Sequence, residues 1–280
     1  MRQDDDTNLT EPSPAGSRSR QSAKIDLPAP KNHVMQEAIA TLQRIAPLDV
    51  NVMIVGEAGT GKEWIAQNIH RLSPRASEPF VPVDCTTLSP EALEKELFGY
   101  ETIAWSGIDI HPGCFEEASG GTLLLKDVAA LSQPAQMKVL RFVENRNVRR
   151  IGSEKDIPVN LRVIATLTDD PDQLLRKEIL RKELYYSISP IMIELPPLRK
   201  RREDIPLLID FFLEELRKRN GNSVPPFSVE AKERCFHYDW PGNIRLLRNA
   251  VEYATVMSGG ETVRPEHLPP YLTAGPQKTK

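Results

Sequence analysis

The sequence predicts an α/β domain built on a parallel sheet with flanking helices, followed by a small all-helical domain. Three observations carry that reading. Apolar strand-like runs alternate with segments of helical period from about residue 32 to residue 167, the pattern of a parallel sheet covered on both faces. A glycine-rich stretch, GEAGTGKE at 56–63, lies between one such strand and the helix after it. Beyond the charged, proline-punctuated connector LPPLRKRREDI at 195–205, helical periods recur with no convincing strand.

Residues 1–28 combine Asp, Ser, Pro, Arg and Gln with almost no large apolar side chains, so they are expected to be a disordered tail. The α/β unit is expected over 29–198. From Asn32 the period turns helical, with Val34, Ile39, Leu42 and Ile45 on one face, and VNVMIVG at 50–56 follows as a first strand. GKEWIAQNIHRL (61–72) reads as a helix, FVPVDC (80–85) as a second strand and EALEKELFG (91–99) as a helix. GTLLLKDV (121–128), PAQMKVLRFVEN (134–145) and NLRVIATL (160–167) continue as strand, helix, strand. An all-α unit is expected over 199–270, from the helical periods of 206–220, 228–240 and 241–259. Residues 271–280 are polar, proline-rich and expected to be loose.

Composition narrows the function classes. The 280 residues are 40% hydrophobic, enough for a real core, and the net charge of −3 gives no global basic field toward nucleic acid or anionic membrane. The longest apolar runs, such as NVMIV at 51–55, fall far short of the ~20 residues of a membrane span. The N-terminus has no apolar core of a signal peptide, so a cytoplasmic location without a membrane partner is expected. Cys85, Cys114 and Cys235 show no paired spacing and the histidines no ligand spacing, which makes both core or surface residues and not a metal cluster.

The loop of Gly56, Glu57, Ala58, Gly59, Thr60, Gly61, Lys62 and Glu63 has the strand-to-helix context of a phosphate site. Its glycines let backbone N–H groups converge on phosphate oxygens, the helix adds its positive dipole end, and Lys62 reaches the outer phosphates. A bound nucleotide is the expectation. The hydroxyl residue that ordinarily follows the lysine and ligates magnesium is replaced by Glu63.

GEAGTGKEWIAQNIH, FVPVDCTTLSPEALEKELFG, GTLLLKDV, LRVIATL, LYYSISPIMIELPPLRKRREDIPLL and WPGNIRLLRN, in that order, resemble the AAA+ central domain of sigma-54-dependent transcription activators, the NtrC class. The resemblance covers roughly residues 30–270. It implies a P-loop AAA+ parallel sheet with flanking helices, then a small all-α lid subdomain. It further implies rings that hydrolyse ATP between subunits and push surface loops against sigma-54 RNA polymerase. By the same resemblance Arg245, in the WPGNIR turn, reaches the nucleotide from the lid.

Other positions depart from the family's pattern. Where the family's third strand ends Asp-Glu, holding magnesium and polarising the attacking water, this chain has Lys126 and Asp127. An ammonium ~4 Å from a dication is repelled by several kcal/mol at intermediate dielectric, so Lys126 is expected to weaken Mg2+ binding. Asp127 inherits the catalytic and metal roles with one methylene less reach, and strand alternation is expected to point it away from position 126. The family's sensor asparagine falls on Thr168, which offers only a hydroxyl. The asparagine restraining the catalytic acid falls on Asp84, an acid expected to face another acid. Of two arginines reaching the neighbouring subunit's nucleotide, Arg181 is kept and the second falls on Ser187.

The family's sigma-docking turn corresponds to IAWSGI at 103–108, with Trp105 at the aromatic position. Trp105 is the expected contact to sigma-54 RNA polymerase or to a paralogous activator, in a homo-oligomer or a mixed ring. No DNA-binding module of its own is expected, and the basic run Arg199–Arg202 reads as a solvated, partly ion-paired linker. Three readings stay open: an ATP-binding protein of transcription regulation with impaired hydrolysis, a competent ring ATPase, and a pseudo-ATPase that modulates an intact paralogue.

Overall fold

A computed structural model describes residues 29–104, 107–220 and 224–273. The segment 1–28, Trp105 and residues 274–280 lie outside the described residues. The strands are β1 (Val52–Val55), β2 (Phe80–Asp84), β3 (Tyr100–Ala104), β4 (Gly107–His111), β5 (Thr122–Lys126), β6 (Asn147–Arg149), β7 (Asp156–Pro158), β8 (Arg162–Leu167) and β9 (Ile191–Glu194). The helices are α1 (His33–Ile45), α2 (Lys62–Arg71), α3 (Pro90–Phe98), α4 (Cys114–Glu117), α5 (Gln133–Asn145), α6 (Pro171–Arg176), α7 (Lys182–Ile188), α8 (Ile205–Asn220), α9 (Val229–His237), α10 (Asn243–Met257) and α11 (Pro270–Thr273).

The main sheet has the order β2-β5-β8-β1-β9, with every pairing parallel. Its central strands are buried on both faces, which is why they read as continuous apolar runs instead of alternating ones. Alternate residues feed two cores. Met53, Leu123, Leu125, Val163 and Ala165 pack under α3 and α5, and Val52, Ile54, Leu124 and Ile164 pack under α1 and α2. Arg162, 1% exposed, ties α1 to the sheet by donating to the carbonyls of Ile45, Ala46 and Val50. These are carbonyls that the end of α1 and the chain after it leave without helical partners.

The outcome differs from the sequence expectation in places. The buried face of α1 is Met35, Ala38, Leu42 and Ile45, while Val34 is exposed. Strand β9 completes the sheet beside β1, a strand the sequence pattern left unassigned; its short β-branched run sits between Pro190 and Pro196. Two antiparallel hairpins, β3 with β4 and β6 with β7, also lie outside the expected alternation.

Residues after β9 build a separate helical core of Leu198, Ile209, Phe212, Trp240, Leu247 and Val251, among others. Trp240 is fully buried and donates its indole N–H to the carbonyl of Cys235 at 2.7 Å. Leu272 of α11 is buried in this core, so the first residues of the segment expected to be loose belong to the lid. All three cysteines are buried; burial pushes the thiols of Cys85 and Cys235 up to about 12 and that of Cys114 to about 11.

Candidate functional site

Because the main sheet is parallel, the carboxyl ends of β1, β8, β5 and β2 lie side by side on one edge, where α/β sheets form their crevices. The loop 56–61 leaves β1, and α2 opens at Lys62. Gly61 caps α2 with φ 105°, a left-handed conformation that favours glycine. Gly59, at φ 78°, is crossed so closely by the lid that an added Cβ would lie 2.3 Å from the carbonyl oxygen of Gly242. Thr60 is buried and donates its hydroxyl to the carbonyl of Glu57 at 2.8 Å.

Lys62 turns back into this loop. Its Nζ donates to the carbonyls of Gly56 and Glu57 and, at 2.9 Å, to Oγ1 of Thr168. Thr168 in turn donates to Oδ1 of Asp127. Burial lowers the Lys62 pKa, the charge of Asp127 works against that, and Arg245 adds to it. The carboxylate of Asp127 is therefore held at the end of β8, and its backbone N–H donates to Thr166 Oγ1 at 3.0 Å. The expected strand alternation does not govern this residue. β5 ends at Lys126, and Asp127 takes a left-handed conformation at φ 52° that turns it out of the strand.

Lys126 makes a second cluster. Its Nζ lies 3.0 Å from Oδ2 of Asp84 and 3.6 Å from Oε2 of Glu63. Asp84 was expected to face an acid. The register that sets Asp84 opposite Lys126 across β2 and β5 gives it a cation instead. The Thr86 hydroxyl and then Lys126 hold the Asp84 carboxyl below its ordinary range despite partial burial. Burial works to lower the Lys126 pKa, but the hydrogen bond to Asp84 and the charge of Glu63 outweigh it and leave it raised.

This donor set does not fit a divalent cation. Magnesium takes oxygen ligands in an octahedron. Here an ammonium occupies the strand-end position, the carboxylates of Glu63 and Asp84 are spent on it, and Asp127 is engaged by Thr168.

The lid grips the loop through residues that sequence reasoning left in a solvated linker. Arg199 makes a bidentate pair with Glu57 at 2.6 and 2.8 Å, and lowers its pKa. Arg201 is only 2% exposed and donates to the carbonyl of Thr60 at 2.7 Å, while Arg202 pairs with Asp239. Asn243, fully buried, donates to Ala58 O and Glu57 Oε2 and accepts from the N–H of Leu198. The N–H of Ile244 donates to Gly59 O at 2.9 Å. Arg245, one residue on, stands beside Gly59 with its Cβ 3.2 Å from where a Cβ of that glycine would be. A cleft of about 630 Å3 adjoins the loop at Thr60 and Gly61, walled by Met35, Trp64, Arg201, Phe211 and Ile244. That is the size ligand clefts take.

The structure thus joins Gly56 to Glu63, Asp84, Lys126, Asp127 and Thr168 into one edge, with Arg245 above it. Arg181 stands apart from this group. It caps α7, its backbone N–H donates to Gln136, and its side chain lies 3.8 Å from Glu183.

The Sigma-54 interaction domain matches residues 29–194, and the AAA+ ATPase lid domain matches residues 199–280. The transcriptional regulatory protein ZraR of Salmonella typhimurium is 42% identical over 247 residues, covering 88% of this chain and 56% of that protein. The transcriptional activator RocR of Bacillus subtilis is 40% identical over 84% of this chain and 51% of its own length. Among solved structures, NtrX from Brucella abortus in complex with ATP matches with a TM-score of 0.79 at 33% identity, over 87% of this chain and 56% of that one. The chain therefore spans about half the length of these relatives.

Proposed function

The chain belongs to the sigma-54 interaction domain family, the AAA+ domain type of sigma-54-dependent transcriptional activators, and from that premise we propose that it binds ATP but hydrolyses it poorly. The observation that carries this reading is the pair of side-chain clusters at the sheet edge. The glycine loop lies between β1 and α2 with Lys62 at the helix start, the strand-to-helix setting of a phosphate site, and the relative NtrX was solved with ATP. The groups that would drive water onto phosphate are diverted, Asp127 to Thr168 and the position-126 acid to an ammonium. Calorimetry with ATP beside a steady-state phosphate-release assay tests this. Binding with turnover far below the ~1 s⁻¹ of an ordinary slow enzyme is expected; turnover at or above that rate overturns the reading.

We further propose that the protein acts in transcription regulation by contact with sigma-54 RNA polymerase or with a paralogous activator, through the loop that carries Trp105. The strands flanking that loop, β3 and β4, pair as an antiparallel hairpin, a suitable mount for a docking tip. The groups that bind nucleotide within one subunit, Lys62 and Arg245, are retained together with Arg181, which favours ATP-dependent homo-oligomers or mixed rings over a solitary fold. Size-exclusion chromatography with light scattering, with and without ATP and mixed with an intact family member, is expected to show larger or mixed species with ATP. A monomer in every condition rejects the ring mechanism.

A further inference from the structure

In P-loop ATPases the divalent cation sits between the hydroxyl that follows the loop lysine and the acid ending the neighbouring strand. In this chain those positions are Glu63 and Lys126, and their side chains meet, with Asp84 closing the cluster. We propose that the Lys126 ammonium is a built-in replacement for the divalent cation, so that the site takes a nucleoside triphosphate free of metal. The inference deepens the nucleotide reading above and rests on it.

Charge supports it first. Exchanging a strand-end carboxylate for an ammonium adds two positive charges, and Asp84 in place of the family's asparagine takes one back, so the cluster is left one charge more positive and less welcoming to a dication. Position supports it next. The β2–β5 register and the second residue of α2 hold the ammonium between Asp84 and Glu63, as carboxylates hold a metal. Capacity is the third point. An ammonium has three N–H donors; Asp84 at 3.0 Å and Glu63 at 3.6 Å hold it by two ion pairs, which leaves donor capacity for a phosphate oxygen. The Lys126 side chain is 29% exposed, so it is held yet reachable. Lys62, folded against the loop, and Arg245, beside Gly59 and close enough for its charge to act on Lys62, are further cations at this end of the sheet. A triphosphate that arrived with its own dication would set two cationic centres against each other at Lys126.

The test is calorimetric titration of ATP into the whole chain, once in EDTA and once in excess magnesium chloride. Wild type is expected to bind at least as tightly in EDTA as in magnesium. Lys126→Ala is expected to lose roughly ten- to hundredfold in EDTA, the range for a hydrogen bond to a charged group, and Lys126→Arg to retain metal-free binding. Lys126→Asp is expected to bind only with magnesium. Wild-type binding that disappears in EDTA overturns the inference alone, as does Lys126→Ala that binds metal-free ATP like wild type. Absence of ATP binding in both conditions overturns the nucleotide reading and this inference with it. If a variant fails to fold by circular dichroism, the wild-type pair of titrations decides without it.

Discussion

Lys62→Ala is expected to abolish ATP binding, with a loss of at least about 100-fold in affinity. Hydrogen bonds to charged groups contribute roughly 1.5–3 kcal/mol each, so losing two phosphate contacts from one ammonium is enough for that factor. The structure adds a reason beyond charge. Lys62 is tethered to the carbonyls of Gly56 and Glu57 and to Thr168, so it lies within the loop's own curl and not out in solvent. Burial lowers its pKa, and a polyphosphate bound beside it would offset that by adding negative charge. The substitution leaves the lid's hold on the loop intact, through Arg201 on Thr60 and Arg199 on Glu57, so the variant is expected to fold. Isothermal titration checks this directly; equal affinities of wild type and Lys62→Ala would sink the assignment of the loop.

Much of this site could be read from residues, and the rest could not for reasons of distance. The buried strands were legible because a parallel sheet covered on both faces needs unbroken apolar runs, as in VMIV and RVIATL. The loop's place between β1 and α2 was legible because its pattern is local, from Gly56 to Glu63. Strand β9 was hidden by its shortness and its proline neighbours. The role of Arg199 and Arg201 was hidden more deeply. A charged run next to a proline pair reads as a solvated linker, and only the fold brings it to partners 142 and 141 residues away. Lys126 shows the same limit. It is legible as an anomaly in the strand, and so is Asp84, but their mutual neutralisation depends on a β2–β5 register that no local pattern states.

That register also frames the second large effect, the joint substitution of Lys126→Asp and Asp127→Glu, which is expected to raise phosphate release by at least about tenfold. Replacing Lys126 frees Glu63 and Asp84 from the ammonium and returns to the strand end an oxygen donor of the kind hard cations take. Lengthening Asp127 acts on a different contact. Its carboxylate now ends at the hydroxyl of Thr168, and an added methylene gives the acid the reach it has in the family's pattern. A shift near 1 Å in positioned chemistry is worth on the order of 100-fold, so the two changes together have more than enough leverage for the expected rise. The single substitutions are expected to do less than the pair, because each leaves one of the two clusters as it is. Phosphate release measured across a range of magnesium concentrations reads this out. A double variant no faster than wild type at any magnesium concentration would mean that Thr168 or Ser187, and not the strand-end pair, limits the reaction.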